Sequence, residues 1–494
     1  MDFGKNRVQY DEPRKWVYYR FEKYDVYFYT GGKELGQYVS RQAKIYIEEV
    51  ERMYDYSVDD KIQLMVFNKQ SDLKQSNIGL ITDEQYNIGG VTRIAGTKVS
   101  LYFNGSHADL DKQIRAGIAG VLLNQMMYGG NLKEMLKNST LLNLPDWYTQ
   151  GLISYMANKW DVDIDNRVKD GVLSGKYQKF NRLEGLDAVY AGHSIWNYIA
   201  ESYGESVISN ILYMTKVSRN IESSFLFVLG TSLRNLSIES NEFYSIKYAE
   251  QDKTRSMPSS TPLSAKKKKK RTFTQFKISP DGTQAVYVTN EIGQYKVWLT
   301  DLATGKTKRI MKRDHKINRI VDLSYPLLAW HPTGKLFSII TENKGELQLT
   351  YYNLEEKKKQ SLKIFNFEKI LDFSYSDDGK KFVFSALMNG QSDIFVYTIA
   401  SANFEQITKD IFDDLNPRFI DKSSKIIFTS NRINDTLKSG ETNKGSVSLQ
   451  TDIFIYNFSS RSSVLKRVTA TPFANENNAF ECDSAKICFI SDEN

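Results

Sequence analysis

Four histidines, His107, His193, His315 and His331, are the whole imidazole supply of this 494-residue chain. Hydrolytic zinc needs nitrogen or oxygen ligands in fixed geometry and a carboxylate to take the proton of the metal-bound water. On a helix the two histidine ligands stand four residues apart, and no two of these do. His107 reads as a loop or helix-cap residue, His193 as a helix residue, and His331 as part of a turn set by Pro332 and Gly334. Asp161, Asp163 and Asp165 alternate as the acids of a calcium loop do, but the turn glycine and the distal Glu are missing, and the same acids suit the cap of a helix near Arg167. No G-x-S-x-G elbow marks a serine hydrolase, and no glycine-rich loop opens a helix to cradle phosphate. The two cysteines, Cys482 and Cys488, flank a hairpin-like turn. They are either a disulfide, which implies an oxidising compartment, or two small apolar strand residues.

The elements that must position these groups change character along the chain. Residues 1–250 mix strands and helices. Trp16 to Tyr29 is β-branched and aromatic with a break near Glu22 and Lys23. From Lys33 to Tyr54 the residues Leu35, Tyr38, Val39, Ala43, Tyr46 and Ile47 form one helical stripe. Strands are expected at Lys61–Phe67 and Lys98–Phe103, and a buried helix from about 106 to 128, stopped by Gly129 and Gly130. Pro145 opens a further helix through about Asn158, at a permitted first-turn position, and three more are expected at 189–202, 204–217 and 220–229.

The buried helix 113–127, followed by Leu144-Pro-Asp-Trp-Tyr-Thr-Gln150-Gly151, resembles the gluzincin metallopeptidases, in which a helical H-E-x-x-H precedes P-x-W-x-x-E-G. The resemblance puts Ala116 and Gly120 where the zinc histidines stand, Gly117 at the catalytic Glu and Gln150 at the third ligand, also a Glu. It implies a zincin-like α+β domain without catalytic residues, metal or other cofactor.

Residues 251–271 read as a basic linker, with five lysines and one arginine between Lys266 and Arg271. That run carries most of the +7 net charge and leaves the rest nearly neutral, so no nucleic-acid-binding face is indicated.

From 272 to 494 short strands repeat. Turn phrases begin at Ser279, His331 and Ser376, spaced by 52 (279 to 331) and 45 (331 to 376) residues, with weaker ones at Asp421 and Asp483. Apolar strands flank each turn, and closing phrases follow at Lys308–Ile310, Glu405–Thr408 and Lys466–Thr469. Four strands per repeat is the blade of a β-propeller. The S-P-D-G turn, x-I-[FVW]-x-[YLM] strand and [QKR]-[IVL]-T ending resemble the TolB-like, or PD40, propellers. Arg432 to Thr451 reads as a mobile insertion on one face. The expected architecture is thus multidomain: an α+β zincin-like domain, then an all-β propeller of four blades plus the start of a fifth. Such an arc does not close a ring, which favours a fragment of a longer protein over completion by a partner.

This pairing, with the phrase from Phe67 to Gly79, resembles large TolB-like envelope proteins of Bacteroidota. It implies a protein-interaction scaffold in the periplasm or at the outer membrane, with envelope or secretion proteins as partners, although no signal peptide and no membrane-spanning run is visible. The alternatives are a hydrolase whose active site lies in a further C-terminal domain, and a peptide- or carbohydrate-binding sensor using the abundant Tyr and Trp as stacking platforms.

Overall fold

The computed structural model describes residues 15–74, 96–130, 138, 142–253, 255–256, 271–316, 323–343, 345–437, 450–483 and 486–493. The chain forms two compact units, one of residues 1–104 and 108–259, the other of 105–107 and 260–494.

The first unit opens with a four-stranded sheet, β1 (Val17–Arg20), β2 (Tyr24–Phe28), β3 (Ile62–Phe67) and β4 (Lys98–Tyr102), in that spatial order. The first pair is antiparallel and the other two are parallel. Helix α1 (Lys33–Tyr54) spans the predicted stripe and buries Leu35, Tyr38, Val39, Ala43, Tyr46 and Ile47. A short α2 (Gln70–Lys74) follows β3. Helix α3 (His107–Tyr128) follows the edge strand β4, and His107 is its first residue. Then come α4 (Asp146–Ala157), α5 (Val162–Leu173), a 3-10 segment (Lys176–Arg182), α6 (Gly185–Tyr203), α7 (Val207–Ser218), α8 (Ile221–Leu229) and α9 (Leu233–Asp252).

Two expectations, for Pro145 and for the linker, need correction. Pro145 is the N-cap of α4, not a first-turn residue, because its backbone is still extended (ψ 158°). Of the two readings of the Asp161, Asp163 and Asp165 acids, the helix cap is the one observed: the Asp161 side chain accepts from the Ile164 amide at 2.8 Å and caps α5, which contains Arg167. The linker is shorter than 251–271. Helix α9 runs to Asp252, and Arg271 already belongs to a strand, where its Nε donates to Glu291 at 2.7 Å. The lysine run itself, and residues 75–79 of the phrase from Phe67 to Gly79, lie outside the described residues.

The second unit is a propeller of four-stranded antiparallel blades. Blade one is β5 (Arg271–Ile278), β6 (Gln284–Glu291), β7 (Gln294–Asp301) and β8 (Thr307–Arg313). Blade two is β9 (Leu327–Trp330), β10 (Leu336–Asn343), β11 (Glu346–Asn353) and β12 (Lys359–Ile364). Blade three is β13 (Lys369–Tyr375), β14 (Lys381–Met388), β15 (Gln391–Thr398) and β16 (Asn403–Gln406). Blade four is β17 (Asp414–Ile420), β18 (Lys425–Ser430), β19 (Asp452–Asn457) and β20 (Lys466–Arg467). A hairpin of β21 (Glu476–Asp483) and β22 (Lys486–Ser491) follows. Strand β12 was not foreseen, because Lys359–Ile364 has neither the [QKR]-[IVL]-T ending of blades three and four nor the Lys308-Arg-Ile310 phrase of blade one.

First and second strands of a blade are joined at the repeated turns, where Gly282, Gly334 and Gly379 hold φ near +70°. The fourth turn has no glycine and instead carries Asp421, Lys422 and Ser423 at positive φ. Apolar residues of neighbouring blades interleave: Val286, Val288 and Val297 of blade one pack with Leu328, Phe337 and Ile339 of blade two. Ile340, Leu349, Phe373, Phe384 and Phe395 join blades two and three in the same way. Cys482 and Cys488 form a disulfide across the β21–β22 hairpin.

Candidate functional site

Helix α3 carries three of the four positions expected for zinc chemistry, and its surroundings are those of a structural spine. Ala116 is buried. A Cβ built on Gly117 would lie 2.2 Å from Val99 Cγ1 on strand β4, so any side chain there, a carboxylate included, requires Val99 to move. Gly120 faces α4, with Ile153 Cδ1 3.5 Å from its would-be Cβ. Gln150 stands three residues before Ile153 on α4, half-buried. Helix α3 thus meets α4, the helix that carries Gln150, at Gly120 and Ile153, and positions 116, 117 and 120 offer no side-chain ligating atom.

What α3 offers its neighbours in the first unit includes two side-chain amides and a carboxylate. Gln113 accepts from the Tyr102 amide at 3.0 Å and donates to the Tyr102 carbonyl at 2.9 Å, pairing with strand β4 as backbone would. Gln125 does the same for the loop before β3, accepting from the Asp59 amide at 3.0 Å and donating to the Asp60 carbonyl at 2.9 Å. Asp111 receives both Tyr38 at 2.8 Å and Tyr46 at 2.7 Å from α1. Burial and the Asp111 carboxylate push the Tyr46 hydroxyl far above its ordinary pKa, so Tyr46 stays a donor.

Of the histidines, His193 lies on α6 and is fully buried. Its Nδ1 is 2.9 Å from Ser154 Oγ and its Nε2 is 2.8 Å from the Lys159 carbonyl. The carbonyl can only accept, so Nε2 carries the proton and Nδ1 accepts from the serine. Burial holds the imidazole down at about 4, hence neutral, and neither nitrogen is left for a metal. His331 sits in its blade turn, with Nδ1 2.8 Å from Thr333 Oγ1, and His315 follows β8. Asp161, Asp163 and Asp165 sit at the start of α5; Asp161 also pairs with Lys112 at 3.0 Å, and Asp165 accepts from Trp160 Nε1 at 3.0 Å.

In the propeller, sequence reading missed a buried ionic cluster. Asp393, Asp410 and Asp414 place carboxylate oxygens within 4.8 Å of one another, the one such metal-compatible group among the described residues. Arg432 fills it instead. Its Nη2 donates to both Asp414 oxygens at 2.9 and 2.8 Å, its Nη1 lies 3.3 Å from Asp410, and the rings of Phe412, Phe428 and Phe454 surround the guanidinium. Arg432 is therefore the opposite of the mobile loop residue expected from the polar composition of 432–451. The insertion is anchored at Arg432, at the Thr436–Val464 bridge and at Thr451, whose amide donates to Asn475; residues 438–449 lie outside the described residues. Burial raises Asp414 to about 6 despite the arginine, and burial with the Asp414 charge raises Asp393 well above the carboxylate range. The acids at 410 and 414 and the Arg after the second strand of blade four were visible in sequence, but only the fold makes them neighbours.

The closing phrase of the repeat acquires a physical meaning here. Thr408 Oγ1 accepts from the Ile394 amide at 2.9 Å and donates to Asp393 at 3.3 Å, while Gln406 donates to Asp393 at 3.0 Å. One blade later Thr469 accepts from Ile453 at 2.9 Å and donates to Asp452 at 3.0 Å, with Arg467 in the place of Gln406. The final threonine thus ties the closing segment to an acid at or near the start of the third strand.

At the other end of the repeat, β5 leaves Phe273, Phe276 and Ile278 exposed beside a cavity of ≈ 250 Å³ lined also by Gln275, Tyr287 and Leu302. Phe489 and Ile490 of β22 are exposed likewise.

No family model matches the sequence, and no curated protein matches it. Among solved structures, TolB from Acinetobacter baumannii is 18% identical with a TM-score of 0.32, covering 40% of this chain, which spans 44% of that protein's length. The propeller domain of the Trilobed protease from Pyrococcus furiosus, described as having an open velcro topology, is 11% identical with a TM-score of 0.31 over 46% of this chain and 79% of that one. Prolyl oligopeptidase B from Galerina marginata is 12% identical with a TM-score of 0.29 over 42% and 30%. The propeller assignment itself rests on the sheet order and the repeated Asp–Thr lock. Among the described residues no helix is long and apolar enough to cross a membrane.

Proposed function

We propose that this chain is a non-catalytic protein-interaction scaffold of the bacterial envelope, in which a degenerate gluzincin-type domain and a TolB-like propeller hold other proteins of an outer-membrane or secretion assembly. The observation that carries the reading is Val99. It occupies the space a side chain at 117 needs, so the position expected for the general base is packed as core rather than kept open as a cleft. The loss of Ala116, Gly120 and Gln150 as ligands points the same way. The Cys482–Cys488 disulfide supports an oxidising compartment such as the periplasm. The exposed aromatic strand β5 offers apolar area of the kind that anchors protein interfaces.

A mild-detergent pull-down of the full-length protein from its native envelope, with mass spectrometry of the eluate and zinc analysis of the purified protein, tests this. Stoichiometric recovery of envelope proteins with no bound zinc is expected. Recovery of the protein alone, or zinc at one equivalent with peptide cleavage, overturns it.

A further inference from the structure

Outside the lysine run the chain is nearly neutral, yet its cations are not evenly spread. The outermost strands of blades one and two gather them: Lys308, Arg309, Lys312 and Arg313 on β8, Lys359 and Lys363 on β12. Contacts between the blades join these strands into one seam. Lys308 Nζ donates to Tyr352 Oη on β11 at 3.3 Å, and Arg313 Nη1 donates to Gln348 Oε1 on the same strand at 2.9 Å. From the other side, Lys359 Nζ donates to the Ile310 carbonyl of β8 at 2.5 Å. All three acceptors are neutral, and among the described residues no carboxylate pairs with Lys308, Arg313 or Lys359. Lys363 meets Glu346 at 2.7 Å, where both side chains are more than half exposed. Lys359, Ser361 and Lys363 stand opposite Tyr352, Thr350 and Gln348, on the face of blade two that turns to blade one. The seam is therefore a line of donors. Lys308 and Lys359 lie at Tyr352, the Thr350 and Ser361 hydroxyls follow, 2.8 Å apart, and Arg313 and Lys363 lie at Gln348. Four residues of one strand separate the two cationic ends, about 13 Å.

Beside this line runs an open strand edge. Strand β12 ends its sheet, and among the described residues no strand pairs with its outer side. The Asn353 amide donates to the Lys358 carbonyl at 3.0 Å, which fixes the alternation of the β11–β12 ladder. Lys359, Ser361 and Lys363 therefore turn their backbone N–H and C=O groups outward, toward the place of a further strand. Lysines on an edge can serve only to keep other chains away. That role does not explain this row: β16, an outer strand as well, has no cation, and Arg467 of β20 is paired with Asp452. Nor does it require cations packed across the seam onto Tyr352, Gln348 and Ile310. We propose that β12 binds an extended acidic segment of a partner protein as an added strand, whose alternate carboxylates meet Lys308, Lys359, Arg313 and Lys363. Charge complementarity selects the acid, and the alternating backbone donors and acceptors select a peptide over a nucleic acid or an anionic polysaccharide. The inference rests on the reading of the chain as an interaction scaffold and names what one of its surfaces holds. The pull-down tests the scaffold as a whole, whereas a peptide titration tests this seam alone.

The test is a fluorescence-anisotropy titration of the full chain with a labelled decapeptide of alternating Thr and Glu, capped at both ends. Saturable binding is expected, and the peptide with Gln for Glu should bind about tenfold more weakly or worse, as for loss of charge-assisted hydrogen bonds. The double variant Lys308→Gln, Arg313→Gln should weaken the acidic peptide to the same extent. Ser361→Pro removes an outward amide while leaving the β11–β12 ladder intact, so it should unfold at the parent's temperature and lose binding. Should Ser361→Pro unfold early, the acidic peptide N-methylated at alternate residues makes the same test from the ligand side and should bind more weakly. Absence of saturable binding, equal binding of the Gln peptide, or parent-like binding by the double variant overturns the proposal. So does undiminished binding of the N-methylated peptide, which would show attraction by charge without strand addition. Tighter binding of decathymidylate or polygalacturonate than of the acidic peptide overturns it as well, in favour of a different polyanion.

Discussion

Gly192 on α6 and Trp147 on α4 approach so closely that a Cβ on Gly192 would lie 1.9 Å from the Trp147 carbonyl oxygen. The approach is mutual, since a Cβ on Gly151 would lie 2.6 Å from Gly192 Cα. Two helices cross here backbone to backbone, and the aromatic cluster of Trp147, Tyr148, Trp196 and Phe225 packs around the crossing. Gly151 of the tryptophan-bearing segment is therefore a packing residue. Backbone cannot yield as a flexible side chain can, so Gly192→Ala is expected to destabilise the first unit by about 3 kcal/mol. Gly120→Ala, whose Cβ would meet Ile153 Cδ1 at 3.5 Å, is expected to be neutral or to stabilise by up to about 1 kcal/mol through helix propensity. Urea midpoints of the two variants against the parent decide it; equal midpoints would mean the crossing relaxes.

Val99 makes a second prediction about the same unit. Restoring the expected ligands with Ala116→His, Gly117→Glu, Gly120→His and Gln150→Glu is expected to give neither stoichiometric zinc nor peptide cleavage, and to lower stability, because the new carboxylate at 117 collides with Val99. Adding Val99→Gly opens that space and is expected to recover part of the lost stability. Zinc content by elemental analysis and a urea midpoint for each variant are sufficient. Full zinc occupancy in the fourfold variant alone would show that β4 moves aside readily.

Much of this arrangement was legible in the residues, and the parts that were not share a cause. Helix α1 was readable because its apolar stripe faces one sheet, and the blades because Ser279, His331 and Ser376 repeat a turn whose chemistry is local. Helix α5 was only half legible, since the alternation of Asp161, Asp163 and Asp165 suits a calcium loop as well as the helix cap that Asp161 supplies. Arg432 opens a stretch rich in Ser, Asn and Lys and reads as solvated, yet Asp414, eighteen residues upstream, takes it into the core. The space denied to Gly117 depends on Val99, across a sheet-to-helix contact that local pattern cannot report. Composition speaks for neighbours in sequence, while burial is decided by neighbours in space.

His193 gives a pH-dependent signature. Its pKa falls from 6.5 to about 4 because burial disfavours the imidazolium. The unfolded chain therefore binds a proton between these values that the folded chain does not, so this residue's contribution is full above about 6.5 and is lost as pH falls toward 4. The shift corresponds to an order of 3 kcal/mol. In an NMR titration the ring protons of His193 should stay at their neutral positions down to pH 5, while those of an exposed histidine move through 6.5. Titration of His193 near 6.5 would mean that the Ser154 and Lys159 contacts do not persist in solution.

Arg432 and Asp414 supply the last prediction. The guanidinium is fully buried, as is the carboxylate it grips with two hydrogen bonds, and Asp410 and Asp393 stand beside them. Arg432→Met removes the only cation that the described residues pair with this group and is expected to cost about 3–5 kcal/mol, the range for stranding a buried charge. If the penalty is electrostatic, Asp414→Asn placed on top of Arg432→Met should return a substantial part of it, whereas Asp414→Asn alone should destabilise by leaving the arginine poorly matched. The double-mutant cycle, read from denaturant midpoints of the propeller transition, separates this from simple loss of packing against Phe412, Phe428 and Phe454. Calcium or magnesium should not stabilise the parent, because the arginine already neutralises the acids. A divalent cation that raises the parent's midpoint would show that the three carboxylates hold a metal after all, with Arg432 displaced.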